Sequence, residues 1–389
     1  MSEFFVHGFN TLGHGLIGYI IPFLFVLTIV VFFHELGHFL VARWAGVKVL
    51  TFSLGFGPEL AGFNDRHGTR WKISAVPLGG YVKFFGDESE ASTPSSEALA
   101  NMTEEERRDS FHHKKVGPRA AIVAAGPIAN FLLAIVIFTC LFTFLGKPST
   151  TARVDQVEAG SPAAAAGFQT GDVVVAIDGT KIDSFSDMQR IVGVRAGEQL
   201  TFTVKRGDST VQLHGTPQLK EVKDPFGNMH RLGVLGITRK TTAGDVTTER
   251  VDPATAAWLG VKETWFVIDR TLSYIGGVFT GREAADQVGG PLRIAQISGQ
   301  VATIGVAALV HLAAVLSISI GLLNLFPVPL LDGGHLLFYG IEAARGRPLS
   351  ERAQEIGFRI GLAIVVMLML FATWNDIVHL GTSYVNKGT

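Results

Sequence analysis

The segment "HELGH", His34 to His38, places two histidines four residues apart with a glutamate between them. Positions i and i+4 of a helix project from the same face, so both imidazoles can reach one metal ion. Zinc accepts neutral imidazole nitrogens, and the Glu35 carboxylate lies where it can take a proton from an attacking water. The spacing therefore predicts a site for one Zn²⁺ per chain, with a general base beside it.

The residues around this motif are apolar. The motif sits within "FFHELGHFL", residues 32–40, and no charged residue occurs between Gly15 and Phe33. Two histidines on the surface of a soluble helix are the ordinary explanation of such a pair, but these flanks suit lipid. Titratable groups in such surroundings are costly unless a partner holds them, so the cluster indicates a functional site.

A catalytic zinc needs a third protein ligand and an open position for water. No suitable residue follows HELGH within the same helix. The best candidate is Asp332, in "NLFPVPLLDGGHLL" at 324–337, which places a carboxylate directly after another apolar run. His335 is a less suitable ligand, because four protein ligands would close the site to water. We interpret it as a supporting residue.

The composition favours a membrane protein. Of 389 residues, 47% are hydrophobic and 17% charged. Four runs, roughly 15–42, 120–145, 301–325 and 356–380, are long and apolar enough to span a bilayer. The first has no Lys or Arg before Arg43 and is too long for a cleavable signal peptide, so we expect a retained span. The net charge of −1 gives no reason to expect nucleic acid, and the single cysteine excludes a disulfide within one chain.

The distribution of basic residues predicts the orientation. Lys and Arg concentrate in the connections 43–119 and 345–359. The positive-inside rule places these loops in the cytoplasm, and both chain ends and the stretch between spans two and three on the outer side of the membrane. Spans one and three then run in the same direction. HELGH and Asp332 are expected at a similar depth, near the cytoplasmic face.

The outer stretch, about 149–239, has the pattern of a soluble domain. "DVVVAIDG", "LTFTVKRG" and "TVQLHG" read as strands, and "SFSDMQRIVGV" as a helix with Ser184 or Ser186 as N-cap. Residues 160–179, "GSPAAAAGFQTGDVVVAIDG", resemble the signature of bacterial PDZ domains. A segment at the end of the stretch resembles their carboxylate-binding strand, which implies a circularly permuted PDZ domain. Its residues are Leu232, Gly233, Val234, Leu235, Gly236 and Ile237. Such a domain could bind a peptide C-terminus or act only as a spacer or steric gate.

HExxH in the first span, paired with NxxPxPxxDGG after the third, resembles the site-2 protease family of intramembrane zinc metalloproteases. The chain is most similar to the bacterial regulator-of-sigma-E protease branch. "GFGP", "PLGGYVKFFGD", "GPIANFLLA" and "GGP" extend the resemblance over most of the chain. Some members carry two tandem PDZ domains, whereas this chain has room for one. The resemblance implies that His34, His38 and Asp332 bind zinc, and that Glu35 is the general base.

The resemblance also implies contacts with a substrate. Asn324 would hold the substrate backbone, although it could instead satisfy carbonyls at the end of its helix. The β-rich segment 51–86 contains Gly79, Gly80 and Tyr81. These residues could accept an unwound substrate as an added strand, or the segment could be a plain cytoplasmic hairpin.

The expected fold class is an α-helical membrane protein with four transmembrane helices, a membrane-associated β-rich segment and one inserted periplasmic PDZ domain (β-rich α+β). The expected divisions are a catalytic half at 1–146, the PDZ domain at 147–240, an amphipathic linker at 241–300 and a second catalytic half at 301–389. The expected activity is cleavage of single-pass membrane proteins within or near their transmembrane segments. The rivals are a non-enzymatic PDZ scaffold, which has no need of Glu35, and a zinc transporter, which should carry polar residues along more of its spans.

Overall fold

The computed structural model describes residues 2–87, 102–149, 151–223, 229–239, 247–280 and 289–385. The chain forms two compact units. The first combines Met1–Thr139 with Ala257–Thr389, and the second is Cys140–Ala256.

The helices and strands are numbered in chain order. The helices are α1 Ser2–Trp44, α2 Glu104–Asp109, α3 Val116–Leu145, α4 Pro162–Ala165, α5 Phe185–Val194, α6 Pro253–Phe279, α7 Pro291–Ile304, α8 Val306–Asn324, α9 Asp332–Arg345 and α10 Glu351–Val385. The strands are β1 Val49–Asn64, β2 Arg70–Phe84, β3 Lys147–Ser149, β4 Gln156–Val157, β5 Val173–Ile177, β6 Thr180–Lys181, β7 Leu200–Arg206, β8 Ser209–Gly215, β9 Gln218–Lys223, β10 Met229–Val234, β11 Ile237–Thr238 and β12 Thr247–Glu249.

Among the described residues, four helices are long and apolar enough to cross a membrane, as predicted. They are Ile17–Trp44 in α1, Val116–Leu145 in α3, Val306–Asn324 in α8 and Arg352–Val378 in α10. The third begins at 306 rather than at the predicted 301, because the helical run breaks at Gly305. That residue has φ 136°, a backbone conformation that residues other than glycine rarely adopt.

Asp376, which made the fourth span appear weak in the sequence, has a structural partner. Its buried carboxylate accepts hydrogen bonds from the backbone N–H groups of Gly290, Leu292 and Arg293 at 2.8, 3.1 and 3.1 Å. These groups lie at the N-terminus of α7, where Gly290 supplies no side-chain cap. A carboxylate from another helix therefore satisfies donors that α7 itself leaves unpaired.

The β-rich segment predicted over 51–86 forms an antiparallel pair, β1 and β2, with several irregularities. Residues 51–54 pair both with 80–83 and with 70–73, so β2 flanks this part of β1 on two sides. One face packs on α1 and α3 through a cluster that includes Phe52, Val82, Phe39 and Ile122. This packing brings residues 79–81 beside α1.

The second unit has its own hydrophobic core. A four-stranded antiparallel sheet has the order β6-β5-β7-β8, and the three predicted strands correspond to β5, β7 and β8. Ser184 is the N-cap of α5, which confirms one of the two residues predicted for that position. The unit extends past the expected range of 147–240, because β12 pairs with β3. Leu235 is buried in the core with Phe202 and Val174.

Candidate metal centre

The three predicted metal ligands meet at one point. His34 and His38 lie on successive turns of α1, and their Nε2 atoms are 3.2 Å apart. Asp332, the first residue of α9, places its Oδ2 atom 3.2 Å from His34 Nε2 and 3.6 Å from His38 Nε2. All three residues are buried or nearly so. Residues far apart in the sequence thus form one compact donor set.

The spacing and chemistry of these donors suit zinc. Bonds of about 2.0–2.1 Å in a tetrahedron put neighbouring ligand atoms about 3.3 Å apart, close to the observed separations. Asp332 Oδ2 is buried and receives no hydrogen bond in the described part of the chain, so a metal ion would supply the partner that this oxygen lacks. His38 Nδ1 donates to the carbonyl oxygen of Ile122 at 2.8 Å, so its Nε2 carries the lone pair that a metal requires. The donor set fits a zinc ion.

Glycines of α1 and α3 allow these two helices to approach closely at the site. A Cβ at Gly37 would lie 2.7 Å from Ala129 Cβ and 2.8 Å from the carbonyl carbon of Ala125. A Cβ at Gly126 would lie 2.5 Å from His38 Cε1 and 2.9 Å from His34 Cε1. Real Cβ atoms do not approach other atoms this closely. Gly126 therefore leaves the space that the two imidazoles occupy.

Two further glycines position the Asp332 carboxylate. Cβ atoms at Gly333 and Gly334 would collide with the carbonyl oxygens of Leu325 and Val328, respectively. The first turn of α9 can therefore lie directly against the loop that follows α8. This close contact sets Asp332 at the helix N-terminus, facing α1.

The loop before Asp332 contains an unusual backbone conformation. Leu330 has φ 114°, which a residue with a side chain adopts at a cost of about 1–3 kcal/mol. The loop also packs closely on α10, where a Cβ at Gly361 would collide with the carbonyl oxygen of Pro329. Such strain persists only where the surroundings hold it, and here the restrained residue lies two positions before a proposed ligand.

A cavity of about 420 Å³ contains the metal centre. The predicted residues that line it are His34, Glu35, His38, Gly79, Gly80, Tyr81, Asn324 and Asp332. Gly80 lets β2 approach Glu35, the predicted general base, since a Cβ there would lie 3.1 Å from Glu35 Cγ. Leu232 to Ile237, the predicted peptide groove, belong to the second unit. Within that segment, the Leu235 side chain is in the core, so only its backbone could contact a peptide.

The sequence did not indicate several polar residues of the cavity wall. The Arg119 guanidinium contacts Glu342 Oε1 at 2.5 Å and lies 4.8 Å from the centre of the Tyr339 ring. Burial raises the pKa of Tyr339 to about 12, which keeps the phenol neutral. His335 also lines the cavity, and burial lowers its pKa, which keeps the ring neutral. The group of donor atoms that lie within 4.8 Å of one another in the described residues contains His34, His38 and Asp332 and not His335. The spacing of Arg119, Tyr339 and Glu342 in the sequence carries no motif that could have revealed them, whereas His335 was expected as a supporting residue.

His112, another residue of the cavity wall, pairs with Asp87. Asp87 Oδ1 lies 2.8 Å from His112 Nε2, and its Oδ2 accepts a hydrogen bond from the Phe84 N–H at 2.9 Å. The carboxylate therefore ties the end of β2 to the segment that precedes α3.

Four apolar helices and a buried His–His–Asp donor set with an adjacent glutamate define a membrane metalloprotease. The chain belongs to Peptidase family M50, whose family model matches residues 22–368. A protein of Agrobacterium fabrum that is named as a candidate zinc metalloprotease is 54% identical over 362 residues, covering 93% of this chain and 96% of the relative. Metalloprotease MmpA of Caulobacter vibrioides is 41% identical over 381 residues, covering 92% of this chain and 95% of the relative. This protein is a zinc metalloprotease.

A solved structure with some likeness to this chain is the PDZ domain of the SdrC-like protein of Listeria monocytogenes. The two are 24% identical, and the match covers 22% of this chain and 83% of the Listeria chain, with a TM-score of 0.18. The PDZ assignment therefore still depends on the sequence signature at 160–179.

Proposed function

We propose that this zinc metalloprotease cleaves single-pass membrane proteins within or beside their transmembrane segments. One observation carries the proposal: His34, Glu35 and His38 lie inside Ile17–Trp44, a helix apolar enough to span a bilayer. Asp332 reaches them from the residues that follow the third such helix. A peptidase site built there meets its substrate at membrane depth, where transmembrane segments are the available peptides.

The side chains of the site have two roles in peptide hydrolysis, binding the metal and transferring a proton. His34, His38 and Asp332 would hold a zinc ion, which would lower the pKa of a water molecule toward 7 and polarise the scissile carbonyl. The Glu35 carboxylate accepts the proton of the attacking water and then passes it to the leaving amine. Burial of the site limits competing solvent and strengthens these electrostatic effects.

A helical substrate must be unwound before its carbonyl groups can be attacked, because helical amides are hydrogen-bonded internally. Gly79, Gly80 and Tyr81 line the same cavity as Glu35, which supports a role for β2 in receiving the unwound segment as an added strand. Asn324 ends α8 at the cavity wall, where its amide can hold a substrate peptide group.

The basic connections 43–119 and 345–359 support a bacterial inner-membrane location with the metal centre near the cytoplasmic side. The termini and the second unit then lie in the periplasm. There the unit would bind a peptide C-terminus or exclude bulky domains of intact proteins. A reporter enzyme inserted in an exposed turn of the unit, such as Gly207, tests the orientation. Activity of a cytoplasm-specific reporter would contradict it.

The test of cleavage uses full-length protein in lipid vesicles with a single-span model substrate. Wild-type protein should cut within or next to the span, as mapped by mass spectrometry, and Glu35→Gln should not. Zinc content measured on both proteins is the control, since Glu35 is not one of the three ligands. Cleavage confined to a soluble domain of the substrate would refute the intramembrane assignment. Full activity of Glu35→Gln would refute the mechanism.

A further inference from the structure

Asn130 lies in the apolar helix α3 with no exposed surface. An amide in such surroundings is costly unless its polar atoms are paired. Its side-chain amide faces His34, with Nδ2 and His34 Nδ1 separated by 3.2 Å. The contact is to the ring nitrogen that points away from the other two metal ligands, so Asn130 can act on the site through His34.

The protonation of His34 determines what its partner must be. His34 directs Nε2 at His38 and Asp332, and zinc binding requires the lone pair on that atom. Nδ1 of the neutral ring then carries the proton and donates a hydrogen bond. The atom facing it has to be an acceptor.

Asn130 can supply that acceptor after a half-turn of its amide. With Nδ2 toward His34, two donors face each other, and the buried Oδ1 receives no hydrogen bond in the part of the chain that the structure describes. A half-turn exchanges the two atoms at almost no change in shape. It pairs Oδ1 with the Nδ1–H of His34 and removes the contact between two donors.

The third span holds Asn130 in place. Ser317 of α8 donates its hydroxyl proton to the carbonyl oxygen of Asn130 at 2.9 Å. A Cβ at Gly321 would lie 3.0 Å from Asn130 Cβ and 3.1 Å from the carbonyl oxygen of Pro127. Close packing of α8 against α3 at these residues therefore fixes the position from which the amide reaches His34.

Ile122 serves His38 in the same way through its backbone carbonyl. Residues 122, 126 and 130 are spaced at i, i+4 and i+8 and lie on one face of α3. We infer that this face orients both imidazoles, and that Asn130 Oδ1 is a positioning group that holds His34 in the tautomer required for zinc. The inference depends on the metal centre and not on where a substrate is cut.

The test measures zinc affinity of the full-length protein in detergent, by competition with a chelator. Removing the group that hydrogen-bonds to the non-coordinating nitrogen of a metal-bound histidine typically weakens metal affinity by about 10–100-fold. Asn130→Ala should therefore weaken zinc binding by about that factor. Asn130→Asp offers only acceptors when ionised and should bind zinc at least ten times more tightly than Asn130→Ala. Ser298→Ala is a matched control, since Ser298 is equally buried and donates within its own helix.

Two results would overturn the inference. Zinc affinity unchanged in Asn130→Ala would show that the amide does not orient His34, and this variant removes a polar group from an apolar helix and should fold. An affinity of Asn130→Asp no better than that of Asn130→Ala would exclude the acceptor role. Thermal unfolding of the metal-free proteins distinguishes a packing defect from a loss of His34 orientation, because a packing defect lowers stability without changing zinc affinity. Because no cleavage is measured, these outcomes are independent of the proposed substrate class.

Discussion

Gly126→Ala should disable the metal centre by adding one methyl group. The new Cβ would lie 2.5 Å from His38 Cε1, where an ordinary contact begins at 3.4 Å. Because the new Cβ would be closer still to His38 Nε2, the His38 ring or α3 would have to move by more than this difference of about 0.9 Å. Protein metal sites hold their ligand distances within about 0.2 Å, and a 1 Å misplacement can cost about 100-fold in rate. We expect a loss of at least that size in peptidase activity, with weakened zinc binding.

Gly117→Ala is the matched control, because Gly117 lies on the same helix and a Cβ there meets nothing within 4 Å. The assays are cleavage of a single-span substrate and zinc affinity by chelator competition. Wild-type values in Gly117→Ala and losses in Gly126→Ala would support the steric argument. Wild-type zinc affinity and activity in Gly126→Ala would refute it, since the two helices would then have to be further apart than the structure places them.

Three other changes test separate parts of the structure. Asp332→Ala should reduce zinc content below one ion per chain by elemental analysis, and an unchanged content would remove this carboxylate from the ligand set. Asp376→Ala should lower the free energy of unfolding by about 1–2 kcal/mol, because the N-terminus of α7 loses its acceptor; an unaltered thermal midpoint would show that the cap contributes nothing. Partial burial disfavours ionised Asp65, yet hydrogen bonds from Trp71 and nearby backbone groups lower its pKa from 3.8 to about 2. Its folded pKa lies below its unfolded value, so this stabilisation is present above about pH 4 and is lost as the pH falls toward 2. Asp65→Asn should lose less stability than wild type over that interval, and parallel acid-unfolding curves would contradict the assignment.

Local patterns were sufficient for the periodic parts of the fold. The four apolar runs, the strand segments of the second unit and the Ser184 cap depend on the character and spacing of neighbouring residues, so they could be predicted. The break at Gly305 was missed because a glycine can also lie within a continuous apolar helix, so only its backbone conformation shows that the helix ends there. Asp376 appeared to weaken a span because its partners, the N–H groups of α7, lie in a different part of the chain.

The linear pattern of residues was enough to identify the groups that could do the chemistry. HELGH sets the two imidazoles on one helical face, and the apolar surroundings demand a partner for them. It also singled out Asp332, through its position at the end of a parallel span. The surroundings of those ligands depend instead on how the helices pack. Gly126, Asn130 and Ile122 act through distances across α1 and α3 that have no signature in a linear pattern. The spacing of ligands within a helix is a local property of the chain, whereas the hydrogen bonds and free space that orient them arise only when separate helices pack.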